Sequence, residues 1–274
     1  SREYRKAINY YLDLIKTGTT EMSAVNLVER LGVSYAQIGK FEQALGYLEQ
    51  IKTIHMNSDV KFELGFTYFS LEEYQKAIDV FEEIRELEPQ YSSIYPYLAD
   101  SYIELNRVDK ALLTVQEGLA NDQYNEQLWV KASEIAKQAG QDELVGQYLE
   151  KANETEPDDL SILSKLSDWY VDNNEDDKNI TLLKPVADQE LFDAHLSYNL
   201  ALSLNHKGDI KGATTNFQIA ERELDSDTKF LKDAIFFYRE NGNREKEIEL
   251  LQKYLKVDPE DFEMQQMLDE ELNY

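Results

Sequence analysis

The sequence predicts an all-α fold of stacked antiparallel helix hairpins, and three observations predict it. Small and bulky residues recur along the chain at a fixed step of 34 residues. Within each step the apolar residues fall into two stripes with helical spacing. The stripes are separated by Gly or Asn, and several copies end in Pro with acidic neighbours.

The pattern is set by Leu64-Gly65, Tyr68, Ala77, Phe81 and Pro89. Stepping from Gly65 reaches Ala99, Ser133, Ser167, Ala201 and Ile235, of which all but the last are small. From Tyr68 the step gives Tyr102, Ala136, Tyr170, Leu204 and Tyr238. From Phe81 it gives Val115, Leu149, Leu183, Phe217 and Leu251. The proline column is the weakest, with Pro157 and Pro259 as its other members.

In chain order, residues 1–24 hold a lone helix and a loop. Ala7, Tyr11 and Leu14 match only the second half of a unit, and Thr17-Gly18-Thr19-Thr20 form a longer connection. Seven units follow at 25–57, 58–91, 92–125, 126–159, 160–193, 194–227 and 228–261. The first is one residue short, with Gly32, Tyr35, Ala44 and Leu48 in place. Residues 262–274 are a closing half-unit, a capping helix. Leu64, Tyr68 and Leu71 lie on one helical stripe, and Ala77, Phe81 and Ile84 on the next. Gly39-Lys40, Asn106-Arg107, Gly140-Gln141, Asn173-Asn174, Gly208-Asp209 and Gly242-Asn243 supply the breaks, because Gly and Asn accept a left-handed conformation cheaply. Glu156-Pro157-Asp158-Asp159 and Asp258-Pro259-Glu260-Asp261 suit the positive start of a helix. Unit 160–193 departs most. Asn179 stands where Ala is expected, and Pro185 is expected to kink the second helix. The acidic run from Asp172 to Asp177 reads either as a hinge or basic-partner contact, or as the solvated loop of a degenerate repeat.

These hexads, best in Leu64-Gly65-Tyr68-Ala77-Phe81-Pro89 and Leu98-Ala99-Tyr102-Ala111, resemble the tetratricopeptide-repeat family over nearly the whole chain. Trp129 fills the bulky first slot of its unit, and Leu200-Ala201, Ala213, Phe217 and Ala220 fill another. The resemblance implies a right-handed superhelical solenoid that acts as a non-enzymatic protein-interaction scaffold. It also implies a concave groove lined by the first helix of each hairpin. The slots facing that groove include Phe62, Phe66 and Phe69 at i, i+4 and i+7, then Tyr97 and Ile103. Further on they include Tyr198, Asn199, Lys229, Lys232 and Arg239. The rings are candidate anchors for a partner's peptide or helix; equally, they can pack between adjacent first helices. The basic edge of Lys229, Lys232 and Arg239 suits acidic groups of a peptide, or salt bridges with Asp225, Asp227, Asp233 and Glu240. Co-chaperone members of the family clamp a chaperone's C-terminal carboxylate with five Lys, Asn and Arg residues. Here Asn199 and Lys229 match that pattern, whereas Ser164, Asp168 and Asp233 do not, which argues against the clamp.

Composition narrows the function classes. The chain of 274 residues has 28 Lys+Arg against 54 Asp+Glu, a net charge of −26, so bare nucleic acid is not an expected partner. The charge balances to zero over residues 1–50 and reaches −8 over 151–200. This surplus gives solubility, and it could equally steer a basic partner. Without Cys there is no disulfide, thiol nucleophile or Cys-ligated zinc. His195 and His206 stand about 16 Å apart along a helix at roughly 1.5 Å per residue, too far to share a metal. Neither they nor His55 belong to a recognisable catalytic motif, so neither an enzyme nor a cofactor is expected. No apolar run approaches the roughly 18 residues of a membrane span, and a cytoplasmic setting is expected. The start at Ser1-Arg2-Glu3-Tyr4 reads as a processed chain or an excised fragment. Two further roles remain open: self-assembly into homo-oligomers through the end helices, and service as a regulatory or targeting domain of a longer protein.

Overall fold

The computed structural model describes residues 2–18, 22–54, 56–187 and 193–273. Ser1, Thr19, Thr20, His55 and Tyr274, which figure in the sequence reading, lie outside them. The described residues form sixteen α-helices and no strand. They divide into two compact units, Ser1–Thr155 and Glu156–Tyr274.

Unit 1 holds α1 (Arg2–Thr17), α2 (Ala24–Ala36), α3 (Phe41–Ile51), α4 (Ser58–Ser70), α5 (Tyr74–Leu87), α6 (Ile94–Glu104), α7 (Val108–Asn121), α8 (Glu126–Gln138) and α9 (Asp142–Thr155). The helices pair as α2 with α3, α4 with α5, α6 with α7 and α8 with α9, and each pair packs on the next. The first helices α2, α4, α6 and α8 also touch in succession. Leu31, Leu48, Leu64, Tyr68, Phe81, Ile84 and Leu98 are fully buried between them. Each such side chain contributes about 1.5–3 kcal/mol on burial, which no single hairpin could collect alone.

Unit 2 holds α10 (Leu160–Asp172), α11 (Asp176–Leu183), α12 (Ala194–His206), α13 (Ile210–Leu224), α14 (Thr228–Glu240), α15 (Arg244–Val257) and α16 (Phe262–Leu272). Its core runs through Leu183, Leu200, Phe217, Phe230, Phe237, Tyr254 and Met264.

Two local devices repeat in both units. Glu72, Asn106, Gly140, Asn174, Gly208 and Gly242 all have left-handed φ, from 56° to 78°, and stand 34 residues apart. After each of them the next N–H reaches back over the helix end, as in Glu73 N to Tyr68 O at 2.9 Å and Asn243 N to Tyr238 O at 2.9 Å. This satisfies carbonyls the helix leaves unpaired. The second device is a side-chain cap. Asn57, Asn125, Asp159, Asp193, Asp227 and Asp261 each accept a backbone N–H in the first turn of a first helix. Small residues permit the close approach of paired helices. A Cβ placed on Gly65 would lie 2.6 Å from Phe81 Cε1.

The irregular segment around Pro185 differs from the expectation of a kinked helix. The helix α11 stops at Leu183, and although Lys184 keeps helical φ and ψ of −54° and −41°, Pro185 carries no backbone N–H to continue the ladder. Asn179 is fully buried, and its Nδ2 donates to Asn199 O at 3.1 Å and Ser203 Oγ at 2.9 Å. Within the unit, the acidic run meets one cation, Lys207, which pairs with Asp177 at 2.8 Å, while His206 Nδ1 lies 3.1 Å from Asp176 Oδ1.

Candidate protein-interaction surfaces

In unit 1, Phe62, Phe66 and Phe69 occupy one face of α4, where helical periodicity places positions i, i+4 and i+7. The buried Leu64, Gly65 and Tyr68 form the packing face of the same helix, and Gly65 abuts Phe81, whose ring lies 6.0 Å from Phe62. Tyr97 of α6 reaches all three rings, with centroids 5.7 Å from Phe62, 5.1 Å from Phe66 and 5.5 Å from Phe69. Edge-to-face rings at this range attract through their quadrupoles. All four side chains are half-buried: they shield one another yet keep solvent-facing area. The half-buried Ile103 stands further along α6. The rings thus pack between adjacent first helices, α4 and α6.

The cluster extends further than the sequence suggested. Phe41 meets Phe66 at 5.8 Å, Tyr91 meets Phe62 at 6.0 Å and Tyr74 meets Phe69 at 5.8 Å. These residues lie at or next to helix starts outside the groove slots, so spacing along one helix did not reveal them. A second cleft of unit 1, about 760 Å³, is lined by Leu119, Tyr124, Trp129, Tyr148 and Lys151. Trp129 lies 5.8 Å from Tyr148 across it and donates its indole N–H to Gln123 O.

In unit 2 the expected groove residues divide by burial. Tyr198 and Asn199 on α12 are only 4% and 3% exposed, so they are interior groups of this unit. The Tyr198 hydroxyl donates to Asp233. Burial first, then that bond and the Asp233 charge, push its phenol far up. Asn199 Nδ2 donates to Ser167 Oγ at 3.1 Å and to Asp168 Oδ1 at 2.7 Å. His195 Nε2 meets the same Asp168 oxygen at 2.6 Å.

The basic edge is largely occupied. Lys232 pairs with Asp261 Oδ2 at 2.7 Å and sits 5.4 Å from the centre of the Tyr254 ring. The Asp261 bond raises the Lys232 ammonium to about 12, and in return Lys232, followed by the Met264 amide, holds Asp261 down at about 2. Arg239 approaches Glu270 at 3.6 Å and the buried Glu247 at 3.8 Å. Lys229 is exposed, and its charge adds to the lowering of Asp168. Of the expected intramolecular partners, Asp233 instead takes Tyr198.

Among the described residues no group of three or more His, Asp or Glu is placed to hold a metal ion. No helix among them is long and apolar enough to cross a membrane.

Comparison with known proteins gives a consistent result. A model of YpiA-like, C-terminal tetratricopeptide repeats matches residues 195–261. Two tetratricopeptide-repeat models match residues 68–133 and 29–58. The TPR repeat-containing protein YpiA of Bacillus subtilis (strain 168) is 27% identical over 265 residues. That match covers 97% of this chain and 62% of the relative, so the chain spans less than two thirds of the relative's length. Among solved structures, YrrB, a TPR protein with an unusual peptide-binding site, aligns with a TM-score of 0.57 at 16% identity. The alignment covers 68% of this chain and 96% of that one. MamA aligns with a TM-score of 0.52 at 22% identity, covering 56% and 89% respectively. With repeat models matching three separate stretches and hairpins stacked in both units, this chain belongs to the tetratricopeptide-repeat family.

Proposed function

We propose that the chain is a non-enzymatic protein-interaction scaffold whose unit 1 takes a peptide or helix of a partner on its aromatic face. One observation carries this reading: Phe62, Phe66, Phe69 and Tyr97 form a continuous cluster of half-buried rings on adjacent first helices. Contiguous aromatic area that stays in contact with water is the composition of an interface anchor. Partner capture by the parent chain, compared with capture by a Phe62→Ser/Phe66→Ser variant of unchanged helicity, tests it. Capture should fall strongly in the variant, and undiminished capture would remove these anchors.

A second reading, self-assembly through the end helices, is favoured by their exposed apolar groups. Helix α1 buries only Ile8 and leaves Tyr10 60% and Ile15 49% exposed, and α16 leaves Phe262 81% exposed. Light scattering across a concentration series decides it, since a strict monomer at high concentration excludes this role.

A further inference from the structure

The aromatic face of unit 1 ends in acid. Glu63 follows Phe62 directly and precedes Phe66 by one helical turn, so carboxylate and rings share one side of α4. Asp59 lies one turn earlier on the same helix, and Glu29 stands on α2. With Tyr4 of α1 and Arg30 and Val33 of α2, these three acids line a cleft of about 370 Å³. Its charged lining is three carboxylates against one guanidinium.

Neutral donors hold two of these carboxylates in place. Gln37 Nε2 donates to Glu63 Oε1 at 2.6 Å, and Tyr91 Oη donates to Asp59 Oδ1 at 2.8 Å. A neutral donor orients a carboxylate but leaves its charge uncompensated. Glu63 Oε2 is buried and has no hydrogen-bond partner. Burial raises the Glu63 carboxyl, Gln37 opposes this, and the Asp59 charge adds to the rise. A partly desolvated carboxylate beside a second one is relieved by a cation that brings its own N–H donors. The neighbouring rings offer faces that also attract a cation.

We propose that the occupant of this face is a peptide carrying Lys or Arg close to an aromatic or large aliphatic residue. The cationic side chain enters the cleft of Glu29, Asp59 and Glu63, and the apolar one packs on Phe62, Phe66 and Tyr97. This names the partner class for the aromatic face and rests on the reading given above. Along α4, Glu63 precedes Phe66 by three residues and Asp59 precedes it by seven, about 5 Å and about 10 Å at 1.5 Å per residue. An extended peptide rising ~3.3 Å per residue therefore places its basic and apolar positions about two to three residues apart. The net charge of −26 on the chain draws such a segment in.

The test is selection of a phage-displayed random dodecapeptide library on the whole chain. Parallel selections use an Asp59→Asn/Glu63→Gln variant and a Phe62→Ser/Phe66→Ser variant. A Glu29→Gln variant, altered on α2 instead of α4, is a further charge-removing arm should the double variant misfold. The parent should enrich peptides with Lys or Arg about two to three residues from an aromatic or large aliphatic residue. Charge-removing variants should bind those peptides about tenfold more weakly and with a flatter salt dependence. Enriched peptides without a basic residue, or equal binding by the charge variants, overturn the proposal; if the Phe variant still loses binding, the aromatic reading survives alone. Binding retained by the Phe variant overturns the aromatic reading itself, and no enrichment on the parent overturns both.

Discussion

His195 Nε2 and Asn199 Nδ2 converge on a single oxygen of Asp168, at 2.6 Å and 2.7 Å. The hydrogen bond to Asp168 raises the His195 imidazole, outweighing burial. Burial alone would raise Asp168, but His195, Asn199 and the Lys229 charge together hold it below its ordinary value.

The pair therefore makes stability pH-dependent in a defined window. A raised histidine stabilises fully below its ordinary value near 6.5 and loses this as pH rises through its folded value. A lowered aspartate stabilises above its ordinary value near 3.9 and loses this as pH falls through its folded value. The contribution of the pair is thus greatest between about pH 4 and 6.5. Imidazole NMR titration should place His195 above 6.5, and Asp168→Asn should move it down. An unchanged His195 in that variant would contradict the pairing.

Asn199 should behave as an interior residue. Replacing it with Ala leaves the buried Ser167 hydroxyl and the Asp168 oxygen without their amide donor, while the backbone acceptor for Asn179 remains. Losing a buried hydrogen-bond partner costs about 1–3 kcal/mol. Urea unfolding should show that loss, and a change within a few tenths would place Asn199 at the surface.

Glu72 is the outlier of the left-handed column, at φ 61° where other copies have Gly or Asn. That conformation costs an ordinary residue about 1–2 kcal/mol, and a glycine's extra unfolded-state freedom costs about 0.5–1 kcal/mol. Glu72→Gly should therefore stabilise unit 1 by roughly 0.5–1 kcal/mol. A lowered thermal midpoint would show that the Glu72 side chain makes a compensating contact.

Two glycine-to-alanine changes should move stability in opposite directions. At Gly65 the new methyl would meet three Phe81 atoms at 2.6–3.0 Å in a filled core. Overpacking costs about 1–3 kcal/mol against a helix-propensity gain near 1 kcal/mol, so the variant loses stability. At Gly46, exposed within α3, nothing lies within 4 Å, so only the gain of up to about 1 kcal/mol remains. Denaturant midpoints of the two variants, measured side by side, check the contrast.

The hairpins were legible because close packing imposes small residues such as Gly65 and Ala99 at a fixed step. The left-handed turns were legible wherever Gly or Asn marked them. Glu72 escaped, since nothing in a glutamate advertises that conformation. The cap column, from Asn57 to Asp261, was visible only in part: the acids beside Pro157 and Pro259 read as favourable charge at a helix start. The site was less legible than the fold. Groove slots fix which way a side chain leaves its helix but not what covers it, so Tyr198 and Asn199 were expected at the groove. Asp168 and Asp233, which spoil the resemblance to a carboxylate clamp, turned out to be the acceptors that hold those two residues inside. The division after Thr155 had no signal, because the step of 34 runs through it unbroken.

That division has a practical consequence for watching the molecule unfold. The chain has two tryptophans, and each unit holds one: Trp129 beside Tyr148 in unit 1, and Trp169 beside Tyr170 in unit 2. Intrinsic fluorescence is therefore already a two-colour label in effect, since Trp129→Phe leaves an emission signal from unit 2 alone and Trp169→Phe one from unit 1 alone. Coincident denaturation curves from the two variants would make the whole chain one cooperative foldon, and separated curves would make it two.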